Sequence, residues 1–213
     1  MSVRKGFLLV TMEPPPALEE EFNDWYDTEH IPERARIPGF ESAMRFVCVS
    51  GWPKYLAFYD LEASGVLESD AYRAVAWGGF SPWTKRILTK VRGQYRASGD
   101  QVYPGAALTG RMGRLTLIRF RGVPDSEALA IQKGLLANYE RRSETTQVRL
   151  FRSNYENQID YIALVEARAP FAGTGIDLSL FGGGADRIDL VNEYAPYWTR
   201  GHLAGVFPQT SAQ

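Results

Sequence analysis

The chain is poor in the residues that most often build metal and redox centres. Its 213 residues include one cysteine, Cys48, and two histidines, His30 and His202. A single thiol excludes an intramolecular disulfide and any zinc site built on paired thiolates. Two histidines cannot supply a three-histidine centre; a mixed histidine and carboxylate site stays open by count, but no metal is expected. Cys48 sits inside an apolar run, where a thiol packs as a small hydrophobe. Neither sign of charge is in excess, since 24 Lys and Arg face 25 Asp and Glu. No basic surface therefore points to nucleic acid or to an anionic membrane. No stretch approaches 18 uninterrupted apolar residues, and no signal-type apolar h-region follows Met1 to Lys5. Neither membrane spanning nor export is expected, and the cytoplasm is the default location. The glycine patterns that cradle nucleotide phosphates, and the G-x-S-x-G turn of α/β-hydrolases, are absent.

What the chain does have is apolar bulk: 45% of residues are hydrophobic and 13% aromatic, ample for one large core or for two domains of about 100 residues. Gly6 to Met12 is a continuous apolar run stopped by Pro14, Pro15 and Pro16, hence a buried strand and a turn. Ala17 to about Ile31 is helical, with Glu19, Glu20 and Glu21 at the end where the macrodipole favours acids. Phe40 to Ser50 and Tyr55 to Leu61 are strand-like and joined by a Gly51-Trp52-Pro53 turn. Helical stretches at Leu67 to Ala76 and Pro82 to Lys90, interrupted by Gly78 and Gly79, lead to a strand over Val91 to Tyr103. This order, β-α-β-β-α-β, is the split βαβ unit of a ferredoxin-like half.

The same order recurs downstream. A strand at Arg114 to Phe120, a helix from Pro124 and Asp125 to about Arg142, and strands at Gln147 to Ser153 and Ile159 to Ala167 come first. A short helix near Ile176 to Leu180 and a strand from Arg187 to Trp198 follow. The glycine-rich stretch from Pro104 to Gly113 is the expected linker. The halves differ where chemistry would sit: the second helix carries A-N-Y-E-R-R-S-E where the first carries W-Y-D-T-E-H-I-P.

The first helix is the candidate site. On a wheel of about 100° per residue, Leu18, Trp25, Tyr26, Glu29 and Glu33 lie within roughly 60° of Phe22, and His30 lies at the stripe's edge. A carboxylate, Glu29, inside an apolar stripe suits a face lining a cavity. Asp24 and Asp27 point away and are expected to be solvated. Pro32 disfavours helical geometry at Ile31, so His30 is expected at a break or kink. A histidine titrates near neutrality, and with a carboxylate partner (Glu29, Asp27 or a group across the sheet) it can shuttle protons. Tyr26, one turn earlier, could donate to a developing oxyanion, although both residues suit plain packing or capping as well. Tyr72, Trp77, Phe80, Trp83 and Arg86 form an aromatic wall with one cation, fit for a planar substrate with an anionic end or for ordinary core. Arg45 and Lys54 are expected as solvated edge charges.

The runs W-Y-D-T-E-H-I-P-E-R at Trp25 to Arg34 and I-P-G-F at Ile37 to Phe40 resemble the dimeric α+β barrel superfamily, most closely its EthD-like branch. The resemblance implies an α+β chain of two ferredoxin-like halves, residues 1–103 and 114–213 around a linker at 104–113, closing as a pseudo-dimeric barrel. It implies an enzyme acting on a small molecule, with a homodimer as an assembly to test. The expected activity is a cofactor-independent lyase or isomerase for a small aromatic or polyketide-like carboxylic substrate. His30, Tyr26 and Glu29 would be catalytic, and Phe22, Trp25, Trp77, Phe80, Trp83 and Arg86 would bind substrate. A haem-dependent oxygenase or peroxidase-like enzyme, with His30 or His202 as axial ligand, is the alternative, together with a non-catalytic small-molecule-binding stress protein.

Overall fold

A computed structural model describes residues 4–173 and 175–202. Eight antiparallel strands close into a barrel: β1 (Gly6–Glu13), β2 (Ala43–Ser50), β3 (Tyr55–Leu61), β4 (Arg92–Tyr103), β5 (Arg114–Phe120), β6 (Thr145–Tyr155), β7 (Gln158–Ala167) and β8 (Ile188–His202). Around the barrel the order is β1-β3-β2-β8-β5-β7-β6-β4. Closure leaves no free sheet edge. The first four strands pair as β2-β3-β1-β4 and the last four as β8-β5-β7-β6, and two seams join the sets. One seam is β2 on β8, with Val47 opposite Ala195, and the other is β4 on β6, with Gly99 opposite Ser153.

The period-2 alternation of each strand divides the core into three layers. From β1, Phe7 and Leu9 point into the barrel with Phe46, Phe58, Phe151 and Tyr194, while Leu8, Val10 and Met12 point out beneath helices of the first half. That double burial explains why β1 reads as an unbroken apolar run and not as an alternation. Outside the second half, α5 (Ala128–Tyr139) and the 3-10 segment Leu178–Arg187 cover Ile118, Phe120 and Tyr161. The β6–β7 hairpin turns on Glu156 and Asn157, both at positive φ, the pair of conformations a two-residue type I′ turn requires.

Several local expectations need correction. The Leu67 to Ala76 stretch is a 3-10 turn (Ser64–Glu68) followed by a one-turn helix, α3 (Asp70–Arg73), because its sequence caps a new helix at Ser69, whose hydroxyl accepts from the Tyr72 N–H. The second-half helix begins at Ala128, after a 3-10 turn at Asp125–Glu127. Cys48 is only half-buried, and burial still pushes its thiol above the usual value, so the strand position leaves it protonated. Among the described residues no helix is long and apolar enough to cross a membrane.

Candidate active site

The helix carrying the motif runs from α1 (Glu19–Trp25) through a π turn (Tyr26–His30) into α2 (Ile31–Ala35). It does not break at Pro32 as expected. A proline ring inside an α-helix clashes with the carbonyl four residues back and lacks the N–H that would bond it. Here the turn before Pro32 is widened: the Ile31 N–H donates to the Tyr26 carbonyl, five residues back, and Ile31 keeps helical angles. Each residue of such a turn advances less than the ~100° of an α-helix. His30 is thereby drawn from the stripe's edge toward the buried face.

There the imidazole is held by rings. Its centroid lies 4.4 Å from the Trp25 ring and 5.3 Å from Tyr26, the latter at a near-perpendicular 86°. Trp25 is fixed in turn by its indole N–H, which donates to Thr84 Oγ1 at 3.0 Å on α4 (Pro82–Leu88). Glu29 completes this clamp, since its carboxylate accepts from Ser81 Oγ at 2.5 Å and from Thr84 Oγ1 at 3.3 Å. Ser81 is the N-cap of α4, so Glu29 ties that helix to the motif.

His30 lines a small cavity of about 50 Å³ between the helices and the outer face of β1, with Arg34, Tyr59, Tyr72, Phe80 and Arg96 among its walls. Three polar atoms of these walls are buried without any hydrogen-bond partner: His30 Nδ1, Arg34 Nη1 and Tyr59 Oη. Buried polar groups are nearly always satisfied by protein or water, so three orphans on residues around one cavity mark a place where water or the polar end of a ligand is held. Burial, reinforced by the charges of Arg34 and Arg45, holds the His30 pKa well below its usual value, leaving a neutral imidazole at pH 7. Burial drives the Tyr59 hydroxyl well above its usual range, so it remains a donor.

The other sequence candidates separate into two groups. Trp25 and Phe80 line the cavity with His30. Phe22 and Tyr26 are buried in the layer beside it, and burial pushes the Tyr26 hydroxyl up to about 12 despite the Arg45 and Arg34 charges. Trp83 and Arg86 turn outward to a shared partner, Glu21: the indole N–H donates to its Oε1 at 3.1 Å and Arg86 Nε at 2.9 Å. Trp77 is 56% exposed, at a φ of 46°, with its ring edge-on to Tyr72 at 5.6 Å. The His202 side chain lies outside the described residues. Among the described residues no carboxylate orients His30; Asp27 is buried and accepts from Arg45 Nη1 at 3.1 Å, so neither Asp27 nor Arg45 is solvated as expected. Lys54 pairs with Glu19. Arg34, Tyr59 and Arg96 were missed: Arg34 lies at i+4 from His30, which the helical spacing could have flagged, while Tyr59 and Arg96 come from strands whose neighbours no local pattern encodes.

In the second half a phenyl ring takes the place next to the sheet, and the open space lies beside it, in a cleft of about 420 Å³ lined by Thr116, Tyr139, Arg142, Val191 and Glu193. Phe181 is fully buried with its ring 5.3 Å from Phe120. The Leu178–Arg187 segment packs so close to α5 that a Cβ on Gly134 would lie 2.5 Å from the Leu180 carbonyl oxygen.

Neither a family model nor a curated protein matches the sequence. Solved structures do match over nearly the whole chain. An anthrone oxidase-like protein superposes with a TM-score of 0.67 at 12% identity, covering 98% of this chain and 97% of that one. A candidate monooxygenase from Fusobacterium nucleatum gives 0.54 at 10%, covering 98% and 94%. A haem-binding protein from Thermus thermophilus gives 0.50 at 10%, covering 91% of each. At such identities the shared property is the fold, a barrel of the dimeric α+β type. The names nevertheless overturn the expectation of a cofactor-independent lyase or isomerase, since the matching structures are named for oxidase-like, monooxygenase and haem-binding proteins. The physical reason for the error is that a neutral base beside an anion-stabilising group makes a carbanion equally well for isomerisation and for oxidation. The fate of the carbanion is not written in those residues.

Proposed function

We propose that the chain is an oxygen-using enzyme, an oxidase or monooxygenase type, that oxidises a small activated carbon acid in the His30 cavity. The observation that carries this is the set of three unpartnered polar atoms, His30 Nδ1, Arg34 Nη1 and Tyr59 Oη, on residues that line one small cavity. The similarity in fold to oxidase-like and monooxygenase-like proteins supports oxidation over rearrangement. Neutral His30 would take a proton from a substrate CH₂ flanked by a carbonyl or aryl group. Arg34 and the Tyr59 hydroxyl would hold the oxyanion that forms. The carbanion would pass electrons to dioxygen and form a carbon hydroperoxide. Loss of water by O–O cleavage would then leave a ketone: CH₂ plus O₂ gives C=O plus H₂O, with no external reductant. Trp25 and Tyr26 would position the base, and Glu29 would act through the α4 clamp.

The same reading takes the chain as two ferredoxin-like halves, 1–103 and 114–213, fused as a pseudo-dimer. The two seams β2–β8 and β4–β6, equivalent under exchange of the halves, support it. Because the second helix carries A-N-Y-E-R-R-S-E and no histidine, one His30-type site per chain is expected.

Haem, suggested by one neighbour, does not fit this cavity. Cofactor pockets span roughly 300–1,000 Å³, and the space open to both His30 and Tyr59 is about 50 Å³. The test is oxygen uptake with a panel of anthrone-like and 1,3-dicarbonyl carbon acids, one O₂ consumed per ketone formed, in protein with and without added haemin. Uptake that requires haemin, with a Soret band, would replace this proposal by the haem-dependent one.

A further inference from the structure

We propose that the His30 cavity selects an organic anion, a carboxylate or phenolate, and that Arg34 is the residue that neutralises its charge. The inference rests on the site assigned above but concerns binding, not oxidation. Three arginines are almost fully removed from solvent: Arg34 at 3%, Arg45 at 1% and Arg149 at 1%. Two of them have carboxylate partners inside the protein. Arg45 pairs with Asp27 at 3.1 Å, and Arg149 pairs with Asp60 and Glu166, each at 2.7 Å. Arg34 alone has none among the described residues: Nη2 donates to the Val75 carbonyl at 3.1 Å, the guanidinium lies 5.2 Å from the Tyr72 ring centroid, and Nη1 has no partner. A buried cation without a counter-charge is strongly unfavourable, so this one is poised for an anion that arrives with the ligand.

The remaining walls agree. Arg96 is a second cation, donating to Tyr72 Oη at 3.1 Å, and no Asp or Glu lines the cavity. Leu8, Val10 and Met12 of β1 supply apolar walls to the same cavity. A ligand anionic at one end and hydrocarbon at the other matches both surfaces. The space present accepts a fragment, so a larger ligand enters with a shift of Phe80, whose side chain is only half-buried.

The experiment is equilibrium binding without oxygen, followed by quenching of tryptophan fluorescence. The probes are 2-naphthoate against 2-naphthamide, and 4-nitrophenolate against 4-nitroanisole. Wild type is expected to bind at least one anion about tenfold or more tightly than its neutral counterpart. Arg34→Met should abolish the preference, Arg34→Lys should restore part of it, and Arg86→Met should keep all of it. Which anion is preferred distinguishes carboxylate from phenolate. Equal affinity of wild type for anions and neutral counterparts overturns the proposal and needs no variant, so a misfolded Arg34→Met does not protect it. A full preference retained in folded Arg34→Met overturns it too. Because dioxygen is excluded, a failure of the oxidase assignment leaves this outcome unaffected, and the reverse also holds.

Discussion

The indole of Trp25 lies 4.4 Å from the imidazole of His30, with the two planes 35° apart. The indole N–H is anchored on Thr84, so the position of the imidazole is set by packing against a second helix and not by a carboxylate. Such a base is oriented without being made more basic, which suits a site where a neighbouring cation already disfavours protonation.

Replacement of His30 by Asn should therefore lower turnover by roughly 10²-fold or more, the usual scale for losing a general base. The fold should persist, because His30 Nδ1 has no partner to be stranded. The check is oxygen uptake with an active carbon acid, beside a thermal melt. Wild-type kcat in the variant removes His30 from the chemistry.

The pH dependence follows from the direction of the His30 shift. Burial and the Arg34 and Arg45 charges lower its folded pKa well below the unfolded value near 6.5. Between the two values the unfolded chain binds the extra proton. The neutral-histidine contribution to stability is thus full above about pH 6.5 and is lost as pH falls toward the folded pKa. Wild type should lose stability on acidification below about pH 6.5 more steeply than His30→Asn. Its kcat/KM should show no inflection at 6.5. An acid limb of activity centred there would mean an exposed, ordinary histidine.

The barrel was largely legible in the sequence because period-2 runs, turn residues and a repeated element order are local signals. The order β-α-β-β-α-β in each part, with strands close to their expected bounds, came from such signals. The site was legible only where it is local. Trp25 and His30 sit in one motif, and Phe80 in the aromatic segment; Arg34, also in the motif, was passed over. Tyr59 and Arg96 reach the cavity from strands β3 and β4 across the sheet, a relationship that no spacing reveals. Arg45 and Asp27 looked solvated one at a time. Together they bury each other, and pairing across 18 residues lies beyond a helical wheel.

That pair gives a stability prediction. Arg45 Nη1 bonds Asp27 at 3.1 Å, Nη2 bonds Asn23 at 2.6 Å, and the guanidinium lies 4.3 Å from the centroids of both Tyr26 and Tyr197. Asp27→Ala would leave a buried guanidinium without its counter-charge and should cost about 3–5 kcal/mol. The double variant Asp27→Leu with Arg45→Met should recover much of that loss. Urea unfolding of the three proteins reads the coupling, and a single-variant loss below about 1 kcal/mol would show the pair to be solvated after all.

The outward pair should behave differently. Arg86 is 54% exposed and shares Glu21 with Trp83. Arg86→Ala should leave stability nearly unchanged, Trp83→Ala should cost stability because its ring packs partly buried against the core, and neither should change the ratio of affinities for an acid and its ester, whereas substitution of Arg34 should collapse that ratio. A selective loss of acid binding in Arg86→Ala would return that residue to the site.

The contrast between halves makes the last prediction. In the first half the layer between helix and sheet leaves a cavity with three unsatisfied polar atoms; in the second, Phe181 is fully buried against Phe120, and the open cleft beside it is lined by Thr116, Tyr139, Val191 and Glu193 instead. The Gly134 contact shows how tightly the covering segment is seated, since any Cβ there meets the Leu180 carbonyl. Phe181→Ala should cost about 3–5 kcal/mol, the range for removing a buried phenyl ring. Gly134→Ala should also destabilise, by forcing the Leu178–Arg187 segment away from α5. Neither should change affinity at the His30 cavity, and titration of wild type should give one anion bound per chain. A second equivalent of the same affinity in wild type would mean that the second half also binds. The asymmetry written in the two helices, W-Y-D-T-E-H-I-P against A-N-Y-E-R-R-S-E, would then be an asymmetry of packing alone.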